Sequence, residues 1–166
     1  MERAFVMIDL ETPEFISEIH SLLPEEVIYT NECPGMEKET HVTLFPLVSN
    51  KTPLSGMVKY LPSIEDIVIH VSGISVFRNE KFTVLKADIT VDSQIHRLNS
   101  KLSEHFISES EFKEYHPHVT IAYLRKDTTI ADKFIGEFVT PIKLKPKRYH
   151  FNWISNGKER HCYFTK

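Results

Sequence analysis

The chain has 166 residues, 41% hydrophobic and 26% charged, with a formal net charge of −3. A single domain of that length buries roughly two thirds of its unfolded surface without disulfide or metal staples. The charge lacks the basic excess with which proteins track long nucleic acids, which favours a small anionic substrate held by a few placed groups.

Cys33 and Cys162 form no CxxC pair, so reduced thiols and a cytoplasmic setting are expected. The opening MERAFVMIDLETPEF has no apolar run after its charges, and nowhere do about 18 apolar residues run together. Neither a signal peptide nor a membrane span is expected.

Residues 3–10, RAFVMIDL, read as a strand rich in β-branched and aromatic side chains. Thr12 and Pro13 look like an N-cap and a proline at the first helical position. Phe15, Ile16, Ile19, Leu22 and Leu23 follow at the spacing of one buried helical face, stopped by Pro24. Residues 29–40 are polar with Pro34-Gly35 and read as a loop, and a strand runs from His41 to Leu47. Residues 53–62 suit a short helix with Leu54, Val58 and Leu61 inward. Residues 65–77 and 81–91, joined by Arg78-Asn79-Glu80, read as an antiparallel hairpin. Asp92 or Ser93 then caps a helix that buries Ile95, Leu98, Leu102 and Phe106. A polar loop leads to the strand His118 to Leu124. A short helix near 129–136 and strands near 138–144, 148–154 and 159–165 complete the chain. Helices and strands mix without strict alternation, so the class is α+β, in one domain over 1–166. Lys143, Lys145, Lys147 and Arg148 read as a solvated strand edge.

Residues 3–47 and 82–124 share the order strand, helix, loop, strand, and close on HVTLFPL and HVTIAYL. Two similar lobes facing each other are the economical arrangement. In a strand, residues i and i+2 share a face roughly 6–7 Å apart. His41 and Thr43 therefore share one face, backed by Val42 and Leu44; His118 and Thr120 share another, backed by Val119 and Ile121. Facing strands would place two imidazoles around one space with two hydroxyls beside them. Cleaving a phosphodiester needs a base at the nucleophile and an acid at the leaving oxygen, and histidine serves as either near neutral pH. The threonine hydroxyls suit the nonbridging oxygens. The symmetric motifs leave open which histidine is acid and which is base.

No CxxC, HExxH or carboxylate set accompanies His116-Pro117-His118, so His116 reads as a loop residue and no metal or cofactor is expected. GxxxxGK[ST], GxGxxG and GxSxG are absent, which removes support for triphosphate hydrolysis, dinucleotide redox and serine-hydrolase chemistry. His20, His70, His96, His105, His150 and His161 present no partner pattern. For substrate contact, face alternation nominates Phe45 as a base-stacking side chain and Lys86 as a phosphate contact, while Tyr115 and Phe77 are further stacking candidates.

His41-Val42-Thr43-Leu44 and His118-Val119-Thr120-Ile121, with Pro117 before the second, resemble the paired motifs of the two-histidine (2H) phosphoesterases. RAFVMIDL is similar to the first strand of the RNA-ligase-like and cyclic phosphodiesterase branches. The resemblance implies a bilobal pseudo-twofold fold, antiparallel sheets lining a central cleft with helices outside, and His41, Thr43, His118 and Thr120 as the catalytic set. It implies as substrate a cyclic nucleotide or short oligonucleotide, with no obligate protein partner. GISVFRNEKFTVLKADI and EYHPHVTIAYL most resemble phage-type members, which include anti-CBASS nucleases that destroy cyclic di- and trinucleotide immune signals. An RNA 2′,3′-cyclic phosphodiesterase or 2′–5′ ligase-like enzyme, and a nucleotide-binding module without catalysis, are the alternatives.

Overall fold

The computed structural model describes residues 3–46, 54–91 and 93–166. Strands β1 (Arg3–Leu10), β2 (His41–Phe45), β3 (Ile69–Arg78), β4 (Phe82–Ile89), β5 (His118–Arg125), β6 (Gly136–Leu144), β7 (Pro146–Ser155) and β8 (Lys158–Phe164) form one antiparallel sheet. Its order is β6-β3-β4-β5-β2-β1-β7-β8. Helices α1 (Glu14–Leu22) and α3 (Gln94–His105) each connect the first strand of an HVT-bearing pair to the second, and α2 (Leu54–Met57) continues into a 3-10 turn. This is an α+β fold.

The sheet reads alike outward from its middle, where β5 meets β2 through the register pair Val42–Val119. On one side come β5, β4, β3 and β6; on the other, β2, β1, β7 and β8. Aliphatic positions of the central strands (Val6, Ile8, Val42, Leu44, Leu85, Ala87, Val119, Ile121) join Ile16, Ile19, Ile95, Leu98 and Leu102 of the helices in one core. Burying that face fixes the register, because slipping one residue would send every aliphatic to water. The opposite face receives the alternate, polar positions.

Local chemistry explains the start of α3 and the turn between β7 and β8. Ser93 caps α3, its hydroxyl accepting from the His96 amide. Asp92 and Leu47 lie outside the described residues, as does the side chain of Leu54. Leu61 is buried as expected, and so is Met57. Asn156 and Gly157, both with positive φ, form the two-residue turn between β7 and β8, a conformation Asn-Gly adopts at little cost.

Two expectations fail at α1. The N-cap is Pro13, and Thr12 instead hydrogen-bonds Thr40 at 2.7 Å, tying the helix entry to the residue before β2. Leu22 is 55% exposed, whereas Ile16, Ile19 and Leu23 are buried.

Candidate active site

Counting outward from Val42–Val119 places His41 opposite Thr120 and Thr43 opposite His118. All four side chains leave the sheet on the face away from the helices, and all are partly buried. The two imidazoles sit on the diagonal of this pair, where Cα separations are about 7–8 Å. That spacing suits two rings bracketing one small group.

Each ring is held in the same way. His41 Nδ1 donates to the Glu39 carbonyl at 2.9 Å, and His118 Nδ1 donates to the His116 carbonyl at 2.8 Å. A proton committed at Nδ1 leaves Nε2 as the working nitrogen, a lone pair when the ring is neutral and a donor when it is charged. Burial pushes His118 below the ordinary histidine range, helped by Lys86 and His41; the His116 carbonyl and Asp88 oppose the shift.

The strands flanking the seam bring one carboxylate to each histidine. Asp9 on β1 is the register partner of His41, and Asp88 on β4 that of His118. Asp88 pairs with Lys86, whose Nζ also donates to Ser75 Oγ at 2.7 Å. Lys86 is thus on the imidazole face, opposite Thr120. Asp9, only 6% exposed, accepts from Arg148 Nε at 2.8 Å and from His150 Nδ1 at 3.1 Å. His150 Nε2 then accepts from His161 Nδ1 at 2.8 Å, and Arg148 stacks on Tyr163 with 3.9 Å to the ring centre. Burial lowers the His150 pKa, with His161 and His41 adding to the effect against Asp9.

The nominated contact residues fare differently. Phe77 is 48% exposed, two residues from Ser75 on the same strand, and so lies on the Lys86 face. Tyr115 is no open stacking platform: its hydroxyl donates to the Thr43 carbonyl at 2.6 Å, and burial raises its pKa steeply. It buttresses β2. Phe45 is 1% exposed and packs in the core. The register runs Val6–Phe45 and then Met7–Thr43, so Leu44 is an extra residue, and this bulge turns Phe45 away from the open face.

Several residues here escape sequence reasoning. Arg148 is no solvated edge, for β7 is interior and its guanidinium is engaged. His20, His150 and His161, patternless in the sequence, all have partners. The available signal is that the repeat begins earlier than its HVT triplets, since Asp9-Leu10 and Asp88-Ile89 end equivalent strands. His116 is exposed and near Glu114 at 3.3 Å. Among the described residues no group of three or more His, Cys, Asp or Glu converges for a metal, and no helix is long and apolar enough to cross a membrane.

Two imidazoles on adjacent antiparallel strands, each with a threonine two residues on, define a two-histidine phosphoesterase, an enzyme of phosphodiester bonds. The chain belongs to the 2′-5′ RNA ligase superfamily, whose family profile it matches over residues 35–158. Among solved structures it is similar to Usb1 of Kluyveromyces marxianus, at 10% identity over 98% of each chain with a TM-score of 0.55. It is also similar to E. coli LigT complexed with 3′-AMP, at 15% identity over 99% of this chain and 96% of that one with a TM-score of 0.51. A structure described as a phosphoesterase matches at 16% identity over 99% and 95%, TM-score 0.53. At these identities the likeness is one of fold. No curated protein matches the sequence.

Proposed function

We propose that the protein cleaves the phosphodiester of a cyclic nucleotide or short oligonucleotide by acid–base catalysis between His41 and His118. The observation that carries this is the matched pair of Nδ1–carbonyl bonds, which leaves both Nε2 atoms free on one face. Burial favours the neutral ring of His118, which suits the base and leaves His41 as the acid. On a 3′–5′ linkage, His118 Nε2 takes the ribose 2′-OH proton, the 2′ oxygen attacks phosphorus, and His41 Nε2–H protonates the departing 5′ oxygen. The products are a 2′,3′-cyclic phosphate and a 5′-hydroxyl. On a 2′,3′-cyclic phosphate, His118 activates water instead. Thr43 and Thr120 donate to the nonbridging oxygens. No step calls on a metal, so EDTA is expected to leave the rate unchanged.

Lys86 and Arg148 on this face are paired, with Asp88 and Asp9, and the net charge of the chain is −3. They favour a compact substrate over long RNA. Within that class we favour cyclic di- and trinucleotide signals of bacterial immunity, met in the cytoplasm. A second reading, an RNA-end 2′,3′-cyclic phosphodiesterase, draws support from the matched superfamily and from LigT, crystallised with 3′-AMP. Incubation with cyclic di- and trinucleotides, 2′,3′-cyclic mononucleotides and a tRNA half, with products read by mass spectrometry, separates the two. Turnover of the tRNA half alone would overturn the first reading, and stoichiometric binding with unchanged ligand would overturn both.

The role of His118 has its own test. As the base of the free enzyme, it sets the limb of kcat/KM that rises with pH, and this limb is expected below the ordinary histidine value of about 6.5. Lys86→Met removes a cation and frees Asp88, and both changes favour the imidazolium. The rising limb should then move to higher pH. A limb that stays in place would separate Lys86 from His118.

A further inference from the structure

The register shifts next to the two motifs are equivalent. On β2, Leu44 is the extra residue between the pairs Met7–Thr43 and Val6–Phe45; on β5, Ile121 is the extra residue between Lys86–Thr120 and Leu85–Ala122. A bulge takes a residue out of the ladder, and both residues are fully buried, so each carbonyl needs a partner from elsewhere. The Leu44 carbonyl accepts from Asn99 Nδ2 of α3 at 2.8 Å. The Ile121 carbonyl accepts from His20 Nε2 of α1, also at 2.8 Å, besides the Glu37 amide at 3.2 Å. Each helix therefore reaches over the seam to the strand of the other half. His20 and Asn99 are equivalent positions, 79 residues apart, as are Ile16 and Ile95 or Leu23 and Leu102.

We infer that His20 and Asn99 are positioning residues, a reciprocal clamp that sets the separation of the two catalytic imidazoles. The inference rests on the reading of His41 and His118 as the catalytic pair. The seam needs such a device, because the ladder between β2 and β5 is carried by Val42–Val119. Each clamped carbonyl lies one residue beyond Thr43 or Thr120 and three beyond its histidine, so strand separation at the clamp sets the imidazole spacing. Binding surfaces elsewhere on the substrate are untouched by it.

The test compares His20→Leu, Asn99→Leu, their combination and His20→Gln, which keeps an N–H at the reach of Nε2. Rates are measured at a temperature where circular dichroism reports each variant fully folded. Either leucine variant is expected to lower kcat by about 10–100-fold with KM changed by less than about 3-fold. His20→Gln should stay within about 3-fold of the parent. The double variant should lose little more than one single, since both clamps act on one separation, whereas independent structural losses would add. If Asn99→Leu does not fold, the partly buried His20 carries the test through its Leu and Gln variants. Full kcat in folded His20→Leu, or equal losses in His20→Leu and His20→Gln, overturns the clamp. His41→Ala and His118→Ala run alongside: retained activity there overturns the underlying site, whereas their loss with intact clamp variants overturns the clamp alone.

Discussion

His41→Ala and His118→Ala should each lower kcat/KM by about 10²–10⁴-fold, the range for losing a general acid or base. Each ring has its Nδ1 committed to a carbonyl two residues earlier in the chain, so alanine removes the only nitrogen able to exchange a proton with substrate. Both residues are partly buried and neither belongs to the core, so the variants should fold normally, with unchanged melting temperature. The double variant should lose little beyond the worse single, because acid and base act as a unit in one transfer. Thr43→Val and Thr120→Val keep side-chain shape and remove one donor each, so turnover should fall by less than in the histidine variants. A fall in KM-controlled binding with intact kcat would place the threonines in ground-state contact only.

Asp9→Ala should be the most destabilising polar substitution on the open face, at about 3 kcal/mol. That is the low end for breaking a buried ion pair, because Arg148 retains contact with water. Two donors, Arg148 Nε and His150 Nδ1, lose their acceptor at once, and His150 is only 5% exposed. In a domain of this size that cost lowers the melting temperature by roughly 6–12 °C. Activity should fall as well, since Asp9 is the register partner of His41 and anchors the strand edge against which that ring sits. Asp88→Ala offers the contrast: Lys86 keeps Ser75 as a partner and the site is wetter, so stability should change by less than about 1 kcal/mol. Thermal melts of the two variants check the asymmetry, and equal shifts would mean that Asp9 is not the buried anchor described here.

Much of this architecture was legible in the sequence because it is local. Period-two alternation in RAFVMIDL and KFTVLKADITV, and helical spacing of Ile95, Leu98 and Leu102, each report one buried face, and those residues form the core. The HVT triplets stood out because they recur in register. What escaped depends on distant pairing. Asp9 and His150 meet across 141 residues, and His20 and Ile121 across 101, separations on which no local pattern bears. Phe45 departs from its expected face for a different reason. Alternation holds only while the ladder is regular, and the bulge at Leu44 sends two successive side chains, Leu44 and Phe45, into the core. The role of Tyr115 is invisible in sequence because its hydroxyl partner, the Thr43 carbonyl, is a backbone group whose position depends on the fold. Thr12 has the composition of an N-cap, yet Thr40 captures its hydroxyl. The repeat itself carried more than its triplets, since Asp9 with Asp88 and His20 with Asn99 share one offset of 79 residues.

The most direct measurement of the central claim is a crystal structure of the protein with a nucleoside monophosphate bound. Both Nε2 atoms, of His41 and His118, should lie within about 3.2 Å of oxygens on the same phosphate, with the Thr43 and Thr120 hydroxyls on its remaining oxygens. A phosphate seated elsewhere, or touched by one imidazole while the other points into a separate space, would contradict shared catalysis by the two histidines.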